Sequence, residues 1–195
     1  MTQFGPDAWA YGVLAATLIV ASVTDVRRGK IYNWTTYPAM AAGLVGHALA
    51  GGLLGQGGLV GGMGLPGALA GLVVGFGPLL LAWLAGGIGG GDAKIMGAVG
   101  ALAGWRFALT ALFYGLAVAV LMALAILISQ RKVAQTFGRI GRFLLLWFLK
   151  AKPPSPATEQ SPTLPFGLAL CIGAAVALVL TFLYGPSERM FLLGV

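Results

Sequence analysis

The sequence predicts an all-α integral membrane protein with about six transmembrane helices, read as a single membrane-embedded domain over residues 1–195. Three observations predict it. The chain is 58% hydrophobic and only 9% charged, with a mean hydropathy of +0.92, a balance that ordinary water-soluble globules do not have. Several stretches run almost without charge for the roughly 17–25 residues that a helix needs to cross hydrocarbon. The basic residues behind the net charge of +7 cluster beside those stretches, so their expected partner is a bilayer with anionic lipids, with no nucleic acid. The single cysteine, Cys171, sits in an apolar segment and excludes both an internal disulfide and a multi-thiolate zinc site.

The first helix is expected over residues 8–24, with Trp9 and Tyr11 at its start where amphipathic rings suit the interface. The first basic residue, Arg27, follows this run, so the run reads as a retained helix and not a cleaved signal. It ends at Asp25, and Arg27, Arg28 and Lys30 mark the cytoplasmic side. A second helix follows over residues 34–50, then an uncharged glycine-rich loop expected outside. The third, over 66–86, carries Gly67, Gly71 and Gly75 at a spacing of four, a face that lets two helices approach closely in lipid. Ala93, Gly97 and Ala101 form the matching face expected on the fourth helix.

That fourth helix is short. Counted over 93–105, before Arg106, it would reach about 20 Å of a roughly 30 Å core. Three explanations stand open: the turn lies past Arg106, the membrane thins, or Asp92 lies below the surface. A fifth helix is expected over 107–128. Residues 129–163 form a basic loop and linker, in which FGRIGRFLLLWFLK is expected to lie in the interface as a helix and PPSPATEQSPT to link without a core. A sixth helix over 164–184 and a short outside tail close the chain. In this topology the inside holds Arg27, Arg28, Lys30, Lys94 and the six basic residues of the long loop, leaving Arg106 and Arg189 outside. That asymmetry places both termini outside.

The chemistry is expected at GGIGGGDAKIMG, residues 86–97. Only five side chains in the protein are carboxylates, and Asp92 stands between a glycine run and an apolar helix, where an ionisable group is costly unless something uses it. Two crossings separate Asp92 from Asp25, so both acids fall on the inside. Two carboxyl groups that approach closely cannot both ionise cheaply, so one keeps a proton and the other its charge. Such a pair activates water and polarises a carbonyl with no metal and no cofactor. An unwound run of Gly89, Gly90 and Gly91 would leave room for a peptide backbone beside the acid.

These residues carry a resemblance. GGGD at 89–92 resembles the GxGD motif of the type IV prepilin peptidases, membrane aspartyl proteases distantly similar in motif to presenilin. DVRRGKIYNWTTYP, from Asp25, is similar to that family's first aspartate segment, with Tyr32 where the family usually has proline before Asn33. LPFG at 164–167 resembles a third segment. The resemblance implies that Asp25 and Asp92 are the catalytic pair, with Gly89, Gly90, Gly91, Lys94 and Asn33 as supporting motif residues. The implied substrate is a pilin precursor, cleaved after a short basic leader on the cytoplasmic side of the bacterial inner membrane. Long members carry a four-cysteine region linked to N-methylation. This chain passes from its first helix directly to Asp25, so it looks like the short type found with tight-adherence (Flp) pili.

Each residue also has a plainer use. Asp25 could pair with Arg27 or Arg28, Asp92 could cap a helix, and Lys94 could snorkel to the interface. His47 is expected to be packed or hydrogen-bonded, and Cys171 to be core. An ion-coupled transporter and a non-catalytic pilus or secretion assembly subunit are the rival functions. The transporter needs a path to the outside, and only His47 could continue one.

Overall fold

The protein is described by a computed structural model covering residues 8–54, 63–129, 138 and 165–184. The interfacial helix and linker expected within 129–163, most of the glycine-rich loop and the terminal tail lie outside the described residues. Those described form five α-helices: α1 (Ala8–Arg28), α2 (Asn33–Gly51), α3 (Gly64–Leu84), α4 (Gly90–Ser129) and α5 (Phe166–Tyr184). No strand occurs among them. Four, all but α2, are long and apolar enough to cross a membrane by length and composition.

The helix α1 runs one turn further than its apolar stretch, to Arg28, because Arg27 and Arg28 suit the negative end of a helix. It stops at Gly29, whose positive φ of 60° suits a residue without Cβ. The Gly29 N–H donates to the Asp25 carbonyl at 2.7 Å, so Asp25 lies inside the last turn instead of ending the helix. Tyr32 precedes α2 with φ −84° and ψ 145°, extended backbone close to what proline would adopt there. Its ring meets Arg28, which donates to the Tyr32 hydroxyl at 3.1 Å.

The stretch Gly90–Ser129 is not one rod. At Gly104, φ 85° and ψ 171° break it into a first arm, 90–103, and a second, 105–129. This conformation is essentially restricted to glycine. The first arm is thus as short as the sequence suggested, and the turn precedes Arg106 instead of following it. His47 donates from Nε2 to the Leu102 carbonyl at 2.9 Å, one of the carbonyls that a helix end leaves without an intrahelical partner. The ring is fully buried and lies 5.0 Å from that of Trp9.

The chain divides into two compact units, one of Met1–Val118 with Pro165–Val195, the other Ala119–Leu164. In the first, α1 packs on α2 and α5, and α2 on α3. The first arm of α4 is buried along nearly its whole length, with Ile95, Met96, Val99 and Leu102 in the core. A helix enclosed on all sides needs small residues wherever a neighbour's backbone comes close. Gly71 and Gly75 of α3 supply them as expected, against the carbonyls of Gly100 and Met96. The matching face differs from the expectation. Gly97 meets Met40 and Phe76, and the Ala101 backbone lies against Gly43 of α2. Gly67 lies against the Met63 side chain. In the second unit the described residues are the end of α4, where the Ser129 hydroxyl donates to the Ile126 carbonyl at 2.9 Å, and residue 138.

Candidate active site

Asp25 and Asp92, 7% and 9% exposed, come from different helices and meet at the start of a third. The carboxylate of Asp25 accepts the Leu168 backbone N–H at 2.7 Å. Leu168 is the third residue of α5, and the first four N–H groups of a helix have no partner within it. Asp25 therefore caps α5 from α1, placing its negative charge at the positive end of that helix.

Asp92 is held in a similar way by its own helix. It is the third residue of α4, and its Oδ2 accepts the Gly89 N–H at 3.1 Å while its own N–H donates to the Gly89 carbonyl at 3.1 Å. This is half of a capping box, in which the side chain at the third position reaches back to the residue before the helix. The N-cap itself is Gly89, a correction to the plainer reading of Asp92.

The glycines are also used differently from the expectation. Gly90 and Gly91 are not unwound; they form the first turn of α4. A Cβ at Gly90 would stand 3.2 Å from Trp83 Nε1, and one at Gly91 3.1 Å from Ile31 Cβ. The space they leave is filled by this protein's own side chains. A Cβ at Gly89 would lie 3.1 Å from Asp92 Oδ2, so that glycine serves the acid directly.

The convergence is clearest at Gly167. A Cβ built there would stand 2.9 Å from Asp92 Oδ1, 3.0 Å from Asp25 Oδ2 and 2.7 Å from Ile31 Cδ1. The two oxygens consequently lie within about 6 Å of each other, the range in which carboxylates compete for ionisation. Residues brought to this point are Asp25, Asp92, Gly89, Gly167, Leu168 and Ile31. Lys94 and Asn33 bond to one another, Nζ to Oδ1 at 2.9 Å, and Lys94 lies 5.1 Å from the Tyr37 ring. They tie the N-terminal part of α4 to the start of α2.

Sequence reasoning singled out LPFG only by resemblance and assigned Gly167, Leu168 and Ile31 no contact with the acids. A glycine just inside a helix start, behind Pro165, was the available signal. Among the described residues no group of three or more His, Cys, Asp or Glu side chains lies together. Chemically, the arrangement offers two buried carboxylates, each steadied by a backbone N–H, with Asp92 Oδ1 and the amide-bonded Asp25 Oδ2 turned toward the same point of α5.

Compared with known proteins, residues 12–127 match the model of the type IV leader peptidase family. The matched span contains Asp25 and Asp92 but not Gly167. No curated protein and no solved structure gives a match. With more than half of its length matched, and with the acids of two motif segments side by side, the chain belongs to the type IV leader peptidase family.

Proposed function

We propose that this protein is an intramembrane aspartyl endopeptidase that removes the short basic leader from a type IV prepilin of the Flp kind. The observation that carries the reading is the convergence of Asp25 Oδ2 and Asp92 Oδ1 on Gly167. In the reaction, the ionised acid takes a proton from water as the water attacks the scissile carbonyl. The protonated acid donates to the carbonyl oxygen, and the resulting intermediate collapses with proton transfer to the leaving amine. No covalent enzyme intermediate is needed.

The location is proposed with it. Six crossings follow if the two arms of α4 count separately and α2 spans, which the break at Gly104 supports. Both termini then lie outside, and the acids face the cytoplasm of a bacterium from its inner membrane. The basic residues of that side contact anionic lipids. Residues 1–195 act as one peptidase domain.

The test is co-expression with a short Flp-type prepilin, reading product mass for the unaltered protein, Asp25→Asn and Asp92→Asn. Asn keeps an oxygen for the Leu168 or Gly89 N–H, so the bundle survives while the charge is lost. Each substitution is expected to slow cleavage at least ~10³-fold, about 4 kcal/mol of barrier. Processing that survives both would move the transporter or assembly-subunit reading ahead.

A further inference from the structure

The Gly167 position raises a question that the two acids alone do not answer: what sets the distance between them. Each carboxylate is anchored on its own backbone N–H, Asp25 on Leu168 and Asp92 on Gly89, so neither can swing freely toward the other. Asp92 Oδ1 and Asp25 Oδ2 both lie against the point where a Cβ of Gly167 would stand. We propose that Gly167 is the spacing residue of the dyad, its missing side chain letting both carboxylates rest against one point of α5. This rests on the two-acid reading above.

The distances carry the argument. The point where a Cβ of residue 167 would stand is 2.9 Å from Asp92 Oδ1 and 3.0 Å from Asp25 Oδ2, so both oxygens pack against the side of the helix that a side chain here would take. A methyl carbon prefers about 3.3 Å or more from an oxygen. Alanine at 167 would therefore press on both carboxylates and displace them from their present spacing. Backbone conformation is not the constraint, because Gly167 lies inside α5 and carries no positive φ.

Ile31 complicates a simple substitution, since the same Cβ would meet its Cδ1 at 2.7 Å. The two effects separate by experiment. Cleavage of a purified Flp-type prepilin is measured for Gly167→Ala, for Gly167→Ala with Ile31→Ala, and for Gly12→Ala, whose added Cβ meets nothing within 4 Å. Thermal unfolding of each is followed in the same detergent.

We expect Gly167→Ala to lower kcat ~100-fold or more, with KM within about twofold, because a displacement near 1 Å at reacting groups costs that much. The double variant, relieved of Ile31, melts near the unaltered protein yet stays equally slow. Gly12→Ala keeps full rate. A wild-type rate in Gly167→Ala, or a rate restored in the folded double variant, overturns the proposal. The second result would show that the methyl matters only through Ile31. If Gly167→Ala unfolds, the double variant decides by its own rate. The aspartate variants keep the two readings apart. If Asp25→Asn and Asp92→Asn are dead while Gly167→Ala is active, the spacer alone fails. If both aspartate variants cleave, the dyad itself fails.

Discussion

Adding one methyl at Gly71 should separate two helices and slow the chemistry from a distance. Gly71 of α3 faces the first arm of α4 so closely that a Cβ there would lie 2.7 Å from the Gly100 carbonyl carbon and 2.9 Å from that of Gly104. The Gly100 carbonyl oxygen is nearer still. Ordinary contact begins at 3.4 Å, so the carbon alone asks for about 0.7 Å of movement, and the oxygen asks for more. The opposing atoms are backbone and cannot rotate aside; the helices themselves must part. A gap of 0.5–1 Å forfeits roughly a quarter to a half of each dispersion contact. Overpacking of this kind costs about 1–3 kcal/mol. Asp92 rides on the displaced arm, and a shift approaching 1 Å against Gly167 would slow cleavage by up to ~100-fold. Gly77→Ala on the same helix is the control. Its Cβ would meet nothing within 4 Å, and alanine favours the helix by up to ~1 kcal/mol. Thermal unfolding by circular dichroism in nanodiscs, paired with leader-removal rates, reads both variants. Equal midpoints and equal rates for Gly71→Ala and Gly77→Ala would refute the argument.

Other positions have equally definite expectations. Gly104→Ala should lose about 1–3 kcal/mol, from its φ of 85° with ψ of 171° and from a Cβ 2.7 Å from Met63 Sδ; Gly104→Asn should not rescue it, because asparagine tolerates the left-handed helical region and not this one. His47→Ala should cost ~2–4 kcal/mol by leaving the Leu102 carbonyl without its donor and opening a buried space, and His47→Gln less than half of that; both are read by thermal unfolding, with cleavage by the folded fraction unchanged. Lys94→Met, which removes an exposed bond to Asn33, should lower stability by no more than ~1 kcal/mol in the same assay.

The sequence made the two acids legible because charge is scarce in an apolar chain, so Asp25 and Asp92 stood out before any contact was known. Counting crossings also placed them on one side, which agrees with their meeting. The close faces of Gly71 and Gly75 followed from spacing alone. What spacing does not carry is rotation about a helix axis. Met96 and Gly100, not Gly97, turned out to oppose those glycines, because α2 and α3 approach the first arm of α4 from different directions. The helix break was placed by the polar Arg106, whereas the backbone breaks at Gly104 through a dihedral that composition does not reveal. Gly167 was hidden for a different reason. Its role is the lack of a side chain at a point where two remote elements meet, and the chain separates it from Asp25 and Asp92 by long stretches.

The bond from the Leu168 amide to Asp25 has a practical consequence for capturing the enzyme at work. One carboxylate oxygen holds the start of α5 in place, while the carboxylate as a whole is proposed to move protons. Alanine at 25 would abolish both, and a dead protein with a loosened bundle end would say little about cleavage. Asparagine gives up only the second role, since its carbonyl oxygen can still accept the amide. Asp25→Asn is thus the form in which an uncut precursor should remain seated long enough to be imaged, with the helix ends around it undisturbed.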